Sequence, residues 1–143
     1  GAKPISIAAA SNLMIGQRLA RRVCKKCAGY SLASASQRLA FKKGLKGVRH
    51  GHQQQITPAL KIAKVQKCED CNLTGYKGRV GIFEAIVIDP KMEEYILTNP
   101  SLSALRQFAI KQGMVTMYQD GLIKVMEGIT TIEEVERVTG EYG

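Results

Sequence analysis

The chain has 143 residues, 45% of them hydrophobic, enough for one ordinary core or two small ones. No apolar run approaches the roughly 20 residues a membrane span needs. The start, Gly1-Ala2-Lys3-Pro4-Ile5-Ser6-Ile7, lacks the apolar core and cleavage pattern of a signal peptide. The net charge of +9 is uneven: residues 1–80 hold 16 Lys+Arg against 2 Asp+Glu (+14), and residues 81–143 hold 5 against 10 (−5). That split predicts two subdomains, the first with a basic surface suited to nucleic acid, anionic headgroups or an acidic partner.

In chain order, residues 5–10 read as a short strand or lead-in. Ser11 or Asn12 can cap a helix with Ile15, Leu19 and Val23 at i, i+4, i+8 and a stripe of Arg18, Arg21, Arg22 and Lys25 opposite. This helix would deliver the chain into Cys24. Ser36 to Lys43 predicts a short helix stopped by Gly44, and residues 44–55 an exposed loop. Leu60, Ile62 and Val65 point to a strand, with a helix started by Thr57-Pro58 as the competing reading. Val80–Ile88 reads as a buried strand. From Asp89 the period turns helical: Asp89-Pro90 opens a helix with Met92, Tyr95 and Ile96 inward. A second starts at Ser101, using Leu102, Leu105 and Ala109 and ending at Gly113. A third spans roughly 115–127 with Tyr118, Leu122 and Val125 inward and Gly128 as its stop. Thr131-Ile132-Glu133-Glu134 is a capping-box pattern opening a fourth, with Ile132, Val135 and Val138 inward. Together these predict a compact bundle.

The chemistry lies in four cysteines, the only ones present. Cys24-Lys25-Lys26-Cys27 and Cys68-Glu69-Asp70-Cys71 are two C-x-x-C pairs separated by 40 residues. Each pair can bring two thiolates to one tetrahedral ion, and four thiolates make a closed structural zinc site with no open position. In a reducing compartment metal explains them better than disulfides; in a secreted chain two disulfides would compete. A dithiol redox site is disfavoured because neither motif sits in a βαβ pattern. Lys25, Lys26, Lys67 and Lys77 can offset the cluster's negative charge, while Glu69 and Asp70 point to water. Gly75 and Gly78 permit the tight turns of a knuckle. His50 and His52 fall in a polar Gly-rich loop and are expected in solvent rather than on metal. Glu133 and Glu134 read as a solvated helix start, not an acid/base pair. No phosphate-loop, dinucleotide-binding or H-E-x-x-H pattern occurs, so no catalytic residue is assigned. A free-standing basic zinc domain binding nucleic acid is the alternative on composition, weakened by a shortage of aromatics for base stacking.

Two stretches carry a resemblance: Gln17-Arg18-Leu19-Ala20-Arg21-Arg22-Val23-Cys24-x-x-Cys27, and Cys68-x-x-Cys71-Asn72-x-Thr74-Gly75-Tyr76-x-Gly78-Arg79-Val80-Gly81-Ile82-Phe83-Glu84. With Leu105-Arg106, Gly113-Met114, Asp120-Gly121 and Thr130-Thr131-x-Glu133-Glu134-Val135 downstream, the chain resembles the C-terminal region of the bacterial assembly ATPases of type IV pili and type II secretion. The resemblance covers roughly residues 4–139 and favours the extension or secretion type, since retraction-type relatives generally lack the four-cysteine element. It implies an α+β fold: the end of a RecA-like motor domain (1–23), an inserted zinc subdomain (24–79), a core strand (80–88) and a helical subdomain (89–143). It implies zinc on Cys24, Cys27, Cys68 and Cys71, with ATP and Mg²⁺ bound only by the full-length parent, whose Walker motifs lie upstream, so that this chain alone is inactive. The implied setting is a cytoplasmic homohexamer peripheral to the inner membrane, docked on a platform protein, with no nucleic acid partner and no transmembrane segment. The run Gln17–Arg22 inclines the reading to pili. Arg18, Arg79 and Glu84 match motif positions without an assigned role, and the basic insert 42–67 is a departure from the family pattern.

Overall fold

The computed structural model describes residue 6, residues 10–48 and residues 51–140. Its elements run β1 (Leu13–Val23), β2 (Gly29–Leu32), α1 (Ala35–Gly44), β3 (Lys61–Lys64), β4 (Tyr76–Val87), α2 (Pro90–Leu97), α3 (Leu102–Gln112), α4 (Met117–Met126) and α5 (Ile132–Thr139). Short 3₁₀ turns occupy His52–Gln55 and Glu69–Cys71. The fold is thus mixed α/β, with five helices and two small sheets among the described residues. The expected lead-in at residues 5–10 falls almost wholly outside the described residues, as does His50.

The first correction is at residues 13–23, which form a strand and not a helix. β1 pairs antiparallel with β4, from Leu13↔Val87 to Arg21↔Arg79, and a register shift then brings Val23 opposite Tyr76. Positions i and i+4 share a face in a strand as well as in a helix, so the Ile15–Leu19–Val23 spacing did not discriminate. The long partner strand decides it. The two faces of the ribbon differ. Met14 and Ile86 join the α2–α3 cluster, and Ala20 and Ile82 are fully buried with Val138. Leu13, Ile15, Leu19, Phe83 and Val87 are on the other face, with Ile15 60% and Val87 64% exposed. The strand expected at Val80–Ile88 therefore starts earlier, at Tyr76, and is half-exposed rather than buried.

β2 and β3 form a second antiparallel pair, Gly29↔Lys64 to Leu32↔Lys61, which fits the expected strand around Ile62. α1 is opened by a full capping box: the Gln37 N–H donates to Ser34 Oγ, and the Gln37 side chain accepts from the Ser34 N–H. The segment after α1 is not a free loop. Leu45 is fully buried, and the Gln53 amide donates to its carbonyl at 2.8 Å.

The helices do not form one bundle. α2 and α3, capped by Asp89 and Ser101, enclose Ile88, Met92, Ile96 and Ala109 over the end of the ribbon. Tyr95 stacks on Phe108 with centroids 4.2 Å apart. Leu102, expected inward, is 83% exposed because it occupies the first helical position, facing away from that cluster. The largest cluster lies elsewhere. It joins Ala33, Phe41, Leu45, Ile56 and Ile62 from the basic half to Tyr118, Leu122, Val125 and Val135 from the acidic half. Each large apolar side chain fully buried there contributes about 1.5–3 kcal/mol. α4 and α5 pack closely enough that a Cβ on Gly121 would collide with Val135. The charge boundary is therefore not a packing boundary.

Candidate metal centre

β1 carries the chain into Cys24, and the knuckle after β3 carries it through Cys68 and Cys71 into β4. The two arms are tied by the Cys24 N–H, which donates to the Gly75 carbonyl at 2.9 Å. The second turn is built tightly. Cys68–Cys71 is one 3₁₀ turn, followed by Asn72 (φ 49°) and Leu73 (φ 58°) in the left-handed region. Gly75 also has positive φ (79°), and a Cβ there would collide with Val65 and approach the Gln66 carbonyl. Only glycine fits.

All four sulfurs lie within 4.8 Å of one another, a set able to hold one metal ion, and all four are free thiols. Cys24–Cys68, Cys27–Cys71 and Cys68–Cys71 are separated by 4.0, 3.8 and 3.7 Å. A tetrahedral ion with metal–sulfur bonds of about 2.3 Å needs sulfurs about 3.8 Å apart. The donor set therefore fits. Cys24 and Cys71 are buried, while Cys27 and Cys68 are partly exposed. The backbone N–H of Cys68 (3.4 Å) and that of Gly75 (3.2 Å) both point at Cys71 Sγ. These donors lower the Cys71 thiol to about 6. Burial and the adjoining sulfurs push Cys27 up to about 12.

The surrounding charges differ from expectation. Asp70 does not point freely to water: Lys26 Nζ and Lys77 Nζ each reach its carboxylate at 2.7 Å, lacing the first turn to the second. These lysines hold the Asp70 carboxyl below its ordinary value. His52 is half-buried in its 3₁₀ turn, less exposed than expected, and belongs to no ligand cluster among the described residues.

A larger correction concerns Glu134. It is 2% exposed, not solvated, and its side chain does not close the expected capping box. Thr131 Oγ1 still caps the Glu134 N–H, but the carboxylate turns inward to β1. It accepts from the Arg21 N–H at 3.0 Å, the Arg21 guanidinium, and Arg137 Nε and Nη2 at 2.8 and 2.9 Å. Arg137 and then Arg21 hold this carboxyl far below the usual range, against the effect of burial. Sequence periodicity marked position 134 only as a helix start; the arginine at position 21 was the missed half of the signal. Glu133 remains exposed.

Of the motif residues without a role, Arg18 donates to the Val138 carbonyl, and Glu84 accepts from the Met117 N–H at 3.3 Å and pairs with Arg106 at 3.8 Å. Both tie the ribbon to the helices. Arg79 is exposed opposite Arg21. No helix among the described residues is long and apolar enough to cross a membrane.

Residues 1–137 match the family described as Type II/IV secretion system protein. The chain is 35% identical over 136 residues to a type IV pilus assembly ATPase PilB of Thermus thermophilus, covering 94% of this chain and 14% of that protein. It is 33% identical to the PilB of Acinetobacter baylyi (99% and 23%) and 31% identical to a type II secretion system protein E of Aeromonas hydrophila (99% and 26%). It thus spans about a quarter or less of the curated relatives it matches. With the match running across both cysteine turns and the helices behind them, the chain belongs to the Type II/IV secretion system protein family.

Proposed function

We propose that this chain is the C-terminal, zinc-bearing part of a cytoplasmic hexameric ATPase that powers type IV pilus assembly or type II secretion. In this reading it supplies structure and contacts to neighbouring subunits and to an inner-membrane platform. The observation that carries it is the family match over residues 1–137, with both cysteine turns inside it. Zinc is the metal the donor set favours: four thiolates at tetrahedral spacing select it over harder, oxygen-seeking cations, and a closed site of this kind holds shape. Cys24, Cys27, Cys68 and Cys71 would be its ligands.

The ribbon supports a place at the end of a larger RecA-like sheet. In the antiparallel register, the backbone groups of Leu13, Ile15, Gln17 and Leu19 point away from β4, and no described residue pairs with them. Beside that edge is the exposed apolar face of Leu13, Ile15 and Leu19. Both features suit a strand continuing into an adjoining motor domain. Catalysis is assigned to that domain, since the chain has no phosphate loop.

The test compares the isolated chain with the full-length gene product. The isolated chain should show one zinc per chain by native mass spectrometry and no Mg-ATP hydrolysis, while the full-length protein hydrolyses ATP. Turnover by the isolated chain, or a full-length protein without a Walker A motif, would sink the reading.

A further inference from the structure

The cysteine turns leave and enter the ribbon through two arms, residues 21–23 of β1 and Tyr76 of β4. Both arms are gripped by one segment, Ile129–Glu134. On the first arm, the Val23 N–H donates to the Ile129 carbonyl at 2.9 Å, Thr130 Oγ1 donates to the Arg21 carbonyl at 2.8 Å, and the Glu134 carboxylate takes the Arg21 N–H at 3.0 Å. On the second, Tyr76 Oη is 3.2 Å from Thr131 Oγ1. Arg21 joins the two arms: its guanidinium pairs with Glu134 and lies over the Tyr76 ring, 4.4 Å from the centroid. Thr130, Thr131 and Glu134 are all buried, so the grip is anchored on groups shielded from water while Arg21 and Tyr76 reach them from a partly exposed side.

Nothing in a structural four-cysteine site requires a helix more than 60 residues further along the chain. Yet the distance between the two turns depends on how the arms are held, and besides their own pairing at Val23–Tyr76 and the Cys24–Gly75 bond they are held by the start of α5. Were they loose, metal binding would also have to order them, and the affinity would fall by that ordering free energy. Linkage makes the effect mutual: whatever the segment contributes to metal affinity, bound metal returns to the order of the segment.

We propose that Glu134 and Tyr76 are positioning residues for the metal centre, so that its metal affinity depends on the Ile129–Glu134 grip on both arms. This rests on the metal reading above. The test is chelator competition on the zinc-loaded 143-residue chain, with the Co²⁺ thiolate-to-metal absorption as a second readout. Four proteins are compared: wild type, Glu134→Gln, Tyr76→Phe, and Glu136→Gln on the exposed side of the same helix. Glu134→Gln should lower zinc affinity by about tenfold, within the usual range for coupled sites, and Tyr76→Phe by a smaller factor. Glu136→Gln should match wild type. In the wild-type chain, removing zinc should also speed amide exchange at residues 129–134.

If Glu134→Gln and Tyr76→Phe keep native helical circular dichroism and bind zinc like wild type, the proposal is overturned and Glu134 merely fastens α5. If Glu134→Gln fails to fold, Tyr76→Phe decides alone, and an unchanged affinity overturns the proposal. A wild-type chain that takes up no zinc would overturn the metal reading as well, which separates the two failures.

Discussion

The two C-x-x-C turns share a spacing and little else. The second is braced from within: a 3₁₀ turn, two left-handed residues and two backbone N–H groups aimed at Cys71 Sγ hold its geometry. The first has no backbone N–H directed at its sulfurs among the described residues. Cys27 instead donates its thiol proton to the Gln66 carbonyl at 3.0 Å, and Cys24 is placed by its N–H bond to Gly75. One turn is a template and the other is docked onto it. Equal spacing in sequence thus conceals unequal preorganisation, and the turns should respond differently to the same change.

The largest contrast is expected between Cys71→Ser and Cys27→Ser. Cys71 is buried with two N–H donors, so its loss should abolish zinc uptake and collapse the knuckle. Cys27 is partly exposed, and its loss should leave a weakened site that still takes up metal at raised concentration. Native mass spectrometry across a zinc titration reads this; equal occupancy of both variants would dissolve the distinction. Next, Glu134→Ala should cost about 1–3 kcal/mol by urea denaturation, because the Arg21 N–H loses its acceptor and the half-exposed Arg21 and Arg137 guanidinium groups lose their buried partner. A shift below 0.5 kcal/mol, on the order of a surface substitution, would show that the docked turn does not depend on this node.

Gly75→Ala probes the template itself. Positive φ and the collision with Val65 together predict a loss of about 1–3 kcal/mol, with the exchange protection of residues 68–76 affected most. Acid offers a further probe. The Glu134 carboxyl is depressed in the folded chain, so its contribution is complete above the unfolded value of about 4.3 and declines as pH falls toward the folded value. Wild type should therefore lose stability below about pH 4 more steeply than Glu134→Gln, whose side chain does not titrate. Parallel curves would refute the assignment. The smallest effect is expected from Asp70→Asn. Its lysine partners are largely exposed, so removing both ion pairs should barely move the thermal midpoint at moderate salt.

Much of the helical part was legible because local rules and packing agree there. Asp89 and Ser101 cap as their positions suggest, Thr116 adds a capping box with Gln119, and Met92, Leu122, Val125 and Val135 face inward as their spacing requires. The cysteine cluster was legible for a similar reason, since ligand chemistry restricts the spacing tightly. β1 was not legible. Its apolar residues at i, i+4 and i+8 satisfy both periods, and the strand exists because β4, more than fifty residues on, pairs with it. Glu134 was missed because a helix start rewards acidic residues whether they face water or a buried arginine. Only the fold supplies Arg21. The shared core was hidden by charge: Phe41 and Leu45 are flanked by lysines yet pack on Tyr118 and Leu122, so a basic sequence segment is an integral part of the helical core.

The ribbon's bare face has a practical consequence. Leu13, Ile15, Leu19, Phe83 and Val87 present adjoining apolar side chains next to a strand edge whose backbone groups no described residue satisfies. Two copies meeting edge to edge would hide both liabilities at once. Purified alone, this chain should self-associate as its concentration rises, and a charged residue in place of Ile15 should restore monodispersity without touching the cysteines. Light scattering across a dilution series would show the difference before any functional assay begins.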